Sequence, residues 1–490
     1  MNRQVVIEKI REGHRGAVLE NEKVQEWMLD DPGAPLQDGM ILSGKVSNVI
    51  GNMEAAFIDI GAAKHGYLHK KEHPAHQQWK ISQEGREPNI SSLLQPGDKV
   101  LVQVKKEAAG TKGATLTMLL NFPGNYVVFM PYGGYAAISK KLDDEKRSEL
   151  RTAAKTWLRG DEGLIVRTNA GEQPAEVLEK EFYALKEDFE ALAEQGPGAP
   201  GTIHLDQSSV VSRTERDFLT DGETEILTND ASLVARWKRQ HPETASRIHW
   251  RSEVSLFITM GLDRELEKAL RPFAWMKNGA SLMIEQTEAM TIIDVNSAKY
   301  TGKGAGELSG TAKEVNLAAA LEIARQLRLR NIGGIIIIDF IDMKTDEERE
   351  EVLSALKRAV KLDRTITNVI GFTGLGYVEM TRKQSRRTLE YMLTDTCDTC
   401  GGAGRIVRNS ALGEDLHRTL LALDSVEAAL IDVSPRFYRW LLREGKERVL
   451  EGVKTEVVLR ENPAAGHFQL ARTGTMETLR TKGDLIQENN

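Results

Sequence analysis

The chain has 490 residues, 40% hydrophobic and 28% charged, so it is too long for one ordinary core and has the balance of a multidomain globular protein, which excludes disordered and fibrous classes. A formal net charge of −7 argues against indiscriminate coating of a polyanion while leaving room for local basic patches. Only two cysteines occur, Cys397 and Cys400, and the amino terminus MNRQVVIEKIREGH is charged, so a disulfide-rich secreted scaffold is excluded and a cytoplasmic protein without a membrane span is expected.

From Leu42 to about Leu119, short β-like runs alternate with glycine and polar loops: VSNVI, AAFIDIG, HGYLH, KVLVQVKK and ATLTMLL. Five such strands predict a small Greek-key barrel of oligonucleotide-binding type. In KVLVQVKK, Val100, Val102 and Val104 alternate with Leu101, Gln103 and Lys105, so one face can be buried while the other stays partly wet. Phe57, beside inward-looking Ile58, and Tyr67 would stand near Lys105, Lys106 and Lys112, where an outward ring over a cationic groove suits base stacking. As isolated aromatics on strands they would equally serve as core residues. Between the halves of the barrel, His73 to Ser92 is polar, rich in Gln and Glu, and reads as an exposed loop. His65, His69, His73 and His76 cluster in this region, either as metal ligands or, the plainer reading, as solvated loop histidines.

Residues from about Pro123 to Gln195 form a small α/β unit, in which AEVLEKEFYALKEDFEALAEQ repeats Leu and Phe at helical spacings. The segment Gly196-Pro-Gly-Ala-Pro-Gly201 is the strongest breaker in the chain and marks a boundary or a crossing loop. From about Ser281, AMTIIDVN reads as a strand, EVNLAAALEIARQLRLR as a helix and GGIIIIDF as a fully buried strand. Beyond Asn409 the sequence returns to mixed helix and strand without an interpretable motif.

Asp294 and Asp339 each close an aliphatic run, and the 45 positions between them accommodate one crossover helix. If the two strands are parallel, both carboxylates reach the same edge, where ligand sites of open α/β sheets lie. Two adjacent carboxylates repel unless a cation or proton intervenes, and Mg²⁺ takes such oxygens together with phosphate oxygens. That arrangement suits phosphodiester hydrolysis, with Asn296 able to orient a water or a carboxylate. The plainer reading is that these aspartates terminate strands or cap turns. Asp342, in the same turn as Asp339, is an N-cap or an indirect support as readily as a ligand.

Arg325, Arg328 and Arg330 on the crossover helix, and Arg382, Lys383, Arg386 and Arg387 in TRKQSRR, are either phosphate contacts or a solvated face laced with ion pairs. In CDTCGGAGR, Cys397 and Cys400 have the spacing of two zinc ligands above Gly402 and Gly404. A closed structural site needs four ligands, so two chains each donating a pair would complete one; redox use is the rival. The loop of Gly302, Gly304 and Gly306 lacks the nucleotide-cradling signature.

The segments IIDVNSAKYTGK, EIARQLRLRNIGGIIIIDFIDM, GLGYVEMTRKQSRR and CDTCGGAGR occur in the order found in the ribonuclease E/G family. SGKVSNVIGNMEAAFIDIGAAKHGYLH, GTKGATLT and GLIVRT resemble the same family, and the resemblance spans about residues 1 to 410. With no long disordered tail after it, the sequence is nearer the ribonuclease G branch.

The resemblance implies a Mg²⁺-dependent endoribonuclease of rRNA maturation and mRNA turnover, cutting single-stranded RNA and leaving a 5′-phosphate. It places the metal at Asp294 and Asp339 with Asn296 in support, RNA contacts at Phe57, Tyr67, Lys106 and Lys112, and recognition of a substrate 5′-monophosphate at Arg167 and Thr168. Zn²⁺ would be shared between two chains through Cys397 and Cys400, making a homodimer or homotetramer; Asp398 stands where the family motif often has proline. The implied fold is multidomain α/β and β. Residues 1–37 and 215–280 would be a ribonuclease-H-like subdomain, 38–120 an oligonucleotide-binding (OB-fold) barrel and 121–214 the 5′-phosphate sensor. Residues 281–395 would be deoxyribonuclease-I-like, 396–409 the zinc link and 410–490 a small C-terminal α/β domain. The alternative is an RNA-binding scaffold or ribosome-associated factor with little or no cleavage, and a deoxyribonuclease is a second rival.

Overall fold

The structure, a computed structural model, describes residues 3–31, 36–108, 112–219, 222–297, 308–384, 386–423, 425–479 and 484–485. The glycine loop 302–306 lies outside the described residues. The chain divides into two compact units, Met1–Leu393 and Thr394–Asn490.

The first unit opens with an antiparallel meander, β1 (Arg3–Lys9), β2 (His14–Glu20) and β3 (Lys23–Leu29). Asn21 and Glu22 turn the chain between β2 and β3 with φ of 49° and 64°, the left-handed pair that a tight hairpin between right-twisted strands demands. Val5, Val6 and Ile7 are all fully buried, which marks β1 as a central strand.

Five strands then form the expected barrel: β4 (Ile41–Ile50), β5 (Ala55–Asp59), β6 (Gly66–His69), β7 (Lys99–Lys106) and β8 (Thr115–Thr117). They pair in the order β4-β5-β6-β8-β7, and β7 returns to β4, so the sheet closes on itself as in an oligonucleotide-binding-like barrel. Val46, Ile58, Leu68, Val102 and Leu116 fill the interior. Gly44 is required there, since a Cβ would stand 2.4 Å from a methyl of Ile58. Part of the segment read as a loop is helical instead: Pro74–Ser82 is an α-helix, started by Pro74 and capped by His73 Nδ1, which accepts from the Ala75 amide at 3.1 Å. Its polar sequence lacks an apolar stripe, so the caps carried the only signal.

Next come β9 (Phe122–Pro123), β10 (Val127–Met130), β11 (Ala136–Ile138) and β12 (Gly163–Val166), a small sheet ordered β11-β12-β10-β9. The predicted helix is Ala175–Gln195, and it seats Phe182 edge-on against Phe129 with ring centroids 5.3 Å apart. The Gly-Pro segment then carries the chain back to the barrel. There β13 (Ile203–Leu205) pairs with β4, while β14 (Glu225–Thr228) and β15 (Ile248–Trp250) extend the first sheet in parallel with β1, in the order β15-β14-β1-β2-β3.

The last sheet of this unit comprises β16 (Phe273–Trp275), β17 (Ser281–Gln286), β18 (Met290–Asn296), β19 (Gly334–Asp339), β20 (Thr367–Phe372) and β21 (Val378–Arg382), ordered β16-β17-β18-β19-β21-β20. Only β18 and β19 run parallel, joined through the helix Leu308–Leu329. That helix and Asp346–Val360 pack on one face, burying Ile293, Val295, Ile336 and Ile338 in a common core. β19 is therefore not fully buried as its apolar run suggested. Ile335 is 48% exposed and faces the other way, because alternation along a strand puts successive side chains on opposite faces.

In the second unit, β22 (Ala428–Val433), β23 (Glu456–Glu461), β24 (Phe468–Gly474) and β25 (Asp484–Leu485) pair as β24-β22-β23-β25. Buried Asp432 receives Arg460 through two hydrogen bonds of 2.7 and 2.8 Å. Among the described residues no helix is long and apolar enough to cross a membrane.

Candidate functional site

On β18 the buried residues are Thr291, Ile293 and Val295, so Ile292, Asp294 and Asn296 point to the face that the helices leave open. On β19, Ile336 and Ile338 are buried and Asp339 lies on the open side. The register makes Asp294 and Asp339 direct partners at the carboxyl end of both strands. Asn296 Nδ2 donates to Asp294 Oδ2 at 2.7 Å, which fixes that carboxylate's orientation. Partial burial, then the charges of Asp294 and Asp342, push the Asp339 carboxyl above its usual range. A proton or a cation placed between these oxygens relieves that repulsion.

The loop after β19 is held by a residue that sequence reasoning missed. Asn316 is fully buried, donates its Nδ2 to the Ile341 carbonyl at 2.7 Å and accepts from the Ile341 amide at 3.1 Å. An asparagine directly before the leucine and alanine run of the crossover helix was the available signal.

A second cluster lies across the barrel. Phe57 and Tyr67 are register partners on β5 and β6, half-buried, with ring centroids 6.0 Å apart and planes at 69°. Tyr67 is next to Thr115 on β8, and Thr115 is next to Lys106 on β7, so the two rings and an exposed ammonium form one row. Lys112 is exposed ahead of β8, whereas Lys105 is paired with Glu72 at 2.5 Å.

Arg167 and Thr168 close β12. The Arg167 guanidinium donates to the Gly124 carbonyl at 2.7 Å and meets Asp217 at 3.4 Å; Thr168 Oγ1 and Ser139 Oγ are 2.8 Å apart. Burial lowers the Arg167 pKa while Asp217 opposes that shift. Gly124 is fixed in turn by Glu181, whose carboxylate accepts from the amides of Asn125, Tyr126 and Val127 at 2.6, 2.8 and 2.8 Å.

The basic segments are neither free phosphate contacts throughout nor a solvated face. Arg325 is locked to Glu322 and to the Val24 carbonyl, Arg328 donates to Gln25, and Arg330 is buried on Gln326. Arg382 is buried on Asp363 at 2.7 Å. Lys383 is exposed, and Arg386 is paired with Glu26 at 2.9 Å. The barrel histidines are not uniformly solvated either: His69 and His73 cap helical turns, and His76 is buried.

In the second unit, Cys397 and Cys400 occupy a knuckle in which the Gly401 amide donates to the Cys397 carbonyl at 2.8 Å and the Ala403 amide to that of Cys400 at 3.0 Å. Gly401, Gly402 and Gly404 have φ of 56°, 87° and 65°, so the turn depends on left-handed backbone. Hydrogen bonds from the Cys400 and Thr399 amides lower the Cys397 thiol pKa, which favours a thiolate ligand. Among the described residues no cluster of three or more His, Cys, Asp or Glu side chains is set to hold a metal.

Residues 121–385 match the profile of the Ribonuclease E/G family. The chain is 34% identical to ribonuclease G of Haemophilus influenzae over 85% of its own length and 87% of that protein's. It is 36% identical to ribonuclease G of Escherichia coli K12, covering 75% and 77% of the two chains. Ribonuclease E of Escherichia coli K12 is 34% identical over 96% of this chain, which spans 46% of that longer protein.

Proposed function

Because the chain belongs to the ribonuclease E/G family, we propose that it is a Mg²⁺-dependent endoribonuclease cutting single-stranded RNA in rRNA maturation and mRNA turnover and leaving a 5′-phosphate. The observation that carries this reading is the register pairing of Asp294 with Asp339 on the open face of their sheet. Two hard oxygen ligands side by side, with the Asp339 carboxyl raised by partial burial and by the neighbouring charge of Asp294, fit a divalent ion with phosphate oxygens beside it. Such an ion would supply a water of lowered pKa and offset charge on the phosphate. Asn296 orients Asp294, while Phe57 and Tyr67 offer π-faces to unstacked bases and Lys106 and Lys112 meet the backbone.

Arg167 and Thr168 supply a guanidinium and a hydroxyl for a terminal 5′-monophosphate, which would favour substrates carrying one. Cys397 and Cys400 are half of a tetrahedral Zn²⁺ site completed by a second chain, giving a homodimer or homotetramer. The strand order β15-β14-β1-β2-β3 supports a ribonuclease-H-like subdomain, and the sheet β16 to β21 with helices on one face supports a deoxyribonuclease-I-like one. The reducing compartment suggested by two unpaired cysteines is the cytoplasm.

The test is incubation of 5′-phosphorylated single-stranded RNA and DNA with Mg²⁺, followed by end-group analysis. Asp294→Asn and Asp339→Asn are each expected to abolish cutting of RNA while binding survives. Cutting that persists in both variants would favour the scaffold reading with incidental cleavage, and comparable cutting of DNA would favour a deoxyribonuclease.

A further inference from the structure

β16 is the edge strand of the sheet that carries Asp294 and Asp339. Its three residues alternate: Ala274 is buried with Leu282 and Val295 in the helix-covered core, whereas Phe273 and Trp275 are 49% and 64% exposed. Alternation therefore turns both rings to the opposite face, the one on which Asp294 and Asn296 stand.

The register then aligns the rings with the acids. Phe273 pairs with Met283, Met283 with Asp294 and Asp294 with Asp339, so a single row crosses four strands. Trp275 pairs with Ser281, and Ser281 with Asn296, in a second row on the same face. Two strand spacings, about 10 Å, separate Phe273 from Asp294, within reach of a nucleotide adjoining a phosphate held at the acids. Half-buried Met283 lies between them as a flexible apolar floor. Arg271 and Lys277, on either side of β16, are exposed and have no ion pair among the described residues.

Apolar side chains scattered singly over a surface need no explanation. These two alternate on one strand, share the face of the carboxylates and stand between two unpaired cations. We propose that Phe273 and Trp275 are a stacking platform for the base adjoining the scissile phosphate of single-stranded RNA, with Arg271 and Lys277 meeting the phosphates that flank it. Rings offer π-faces to any unstacked base while cations track the backbone, so the platform positions the strand over the acids without selecting a sequence. The inference rests on the reading of Asp294 and Asp339 as the cutting centre, and adds to it an aromatic subsite separate from Phe57 and Tyr67.

The test has a contact readout and a kinetic one, both on the intact protein. A single-stranded RNA decamer with 5-iodouridine moved through its positions is bound without Mg²⁺ and irradiated; cross-links to Phe273 or Trp275, located by mass spectrometry, are expected from the position beside the cut that wild type makes with Mg²⁺. The Phe273→Leu, Trp275→Leu double variant keeps apolar bulk at two exposed positions and should lose at least fivefold in kcat/KM. An abasic unit beside the cut should cost wild type a similar factor and the double variant nothing further. Absence of cross-links to both rings, or losses from the variant and the abasic unit that simply multiply, overturns the platform. A double variant whose mass in light scattering shifts toward monomer also overturns it, by assigning the rings to a contact between chains. Cutting that persists in Asp294→Asn sinks the cutting centre alone, because the cross-links record which base meets the rings wherever hydrolysis occurs.

Discussion

Phe57 and Tyr67 face one another from neighbouring strands of the barrel, edge to face, with Lys106 two strands away in the same row. Their half-exposed rings combine a hydrophobic anchor with a free π-surface, the combination that base stacking uses. Replacing either ring by leucine keeps apolar bulk and removes the aromatic face. Phe57→Leu and Tyr67→Leu should each weaken binding of single-stranded RNA by about 1–3 kcal/mol, read by fluorescence anisotropy without Mg²⁺. An unchanged Kd in both would assign the rings to packing alone.

Arg167 is tied to Gly124 and Asp217 and is therefore held in one place before any ligand arrives. Arg167→Ala should erase the preference for 5′-monophosphorylated over 5′-hydroxyl RNA while leaving cleavage of the hydroxyl substrate nearly unchanged. Cleavage rates on matched substrates provide the check, and a retained preference refutes the role.

Cys397 has a thiol already inclined to ionise and a glycine-built turn beneath it. Cys397→Ser should lose bound zinc, measured by elemental analysis, and shift the molar mass in light scattering toward monomer. A zinc-free wild-type dimer would show that the chains associate by other means.

Glu26 lies between Arg213 and Arg386. Burial pushes its carboxyl up, but the guanidinium groups of Arg213, Arg386 and Arg364 more than reverse this, to about 2. The folded pKa is below the unfolded value of about 4.5, so this stabilisation is complete above that pH and is lost as pH falls toward 2. Glu26→Gln should cost about 3 kcal/mol at pH 7, with the difference from wild type shrinking below pH 4.5 in denaturant titrations. A difference that stays constant from pH 7 to pH 3 would assign the loss to packing.

Much of the molecule is legible locally. The five barrel strands declare themselves by alternation, Ala175–Gln195 by its apolar stripe, and the cysteine knuckle by spacing and glycines. Asp294 and Asp339 stand out because each ends a run of isoleucines or their like. The helix Pro74–Ser82 escaped because its stability comes from caps and context rather than a stripe. GGIIIIDF suggested burial on both sides because composition does not reveal that both helices pack on the same face.

What the sequence alone determined is the set of elements whose period is short: strands, helices, the turn holding two thiols, and two acids at strand ends. Tertiary structure alone decided that β1 lies beside β14, more than 200 positions away, and that Asp217 gathers Arg167 and Arg364 from separate segments. The physical reason is range. Backbone periodicity is written by neighbours a few residues apart, whereas a shared carboxylate or a strand partner is chosen by burial and charge among groups that meet only after the chain has folded.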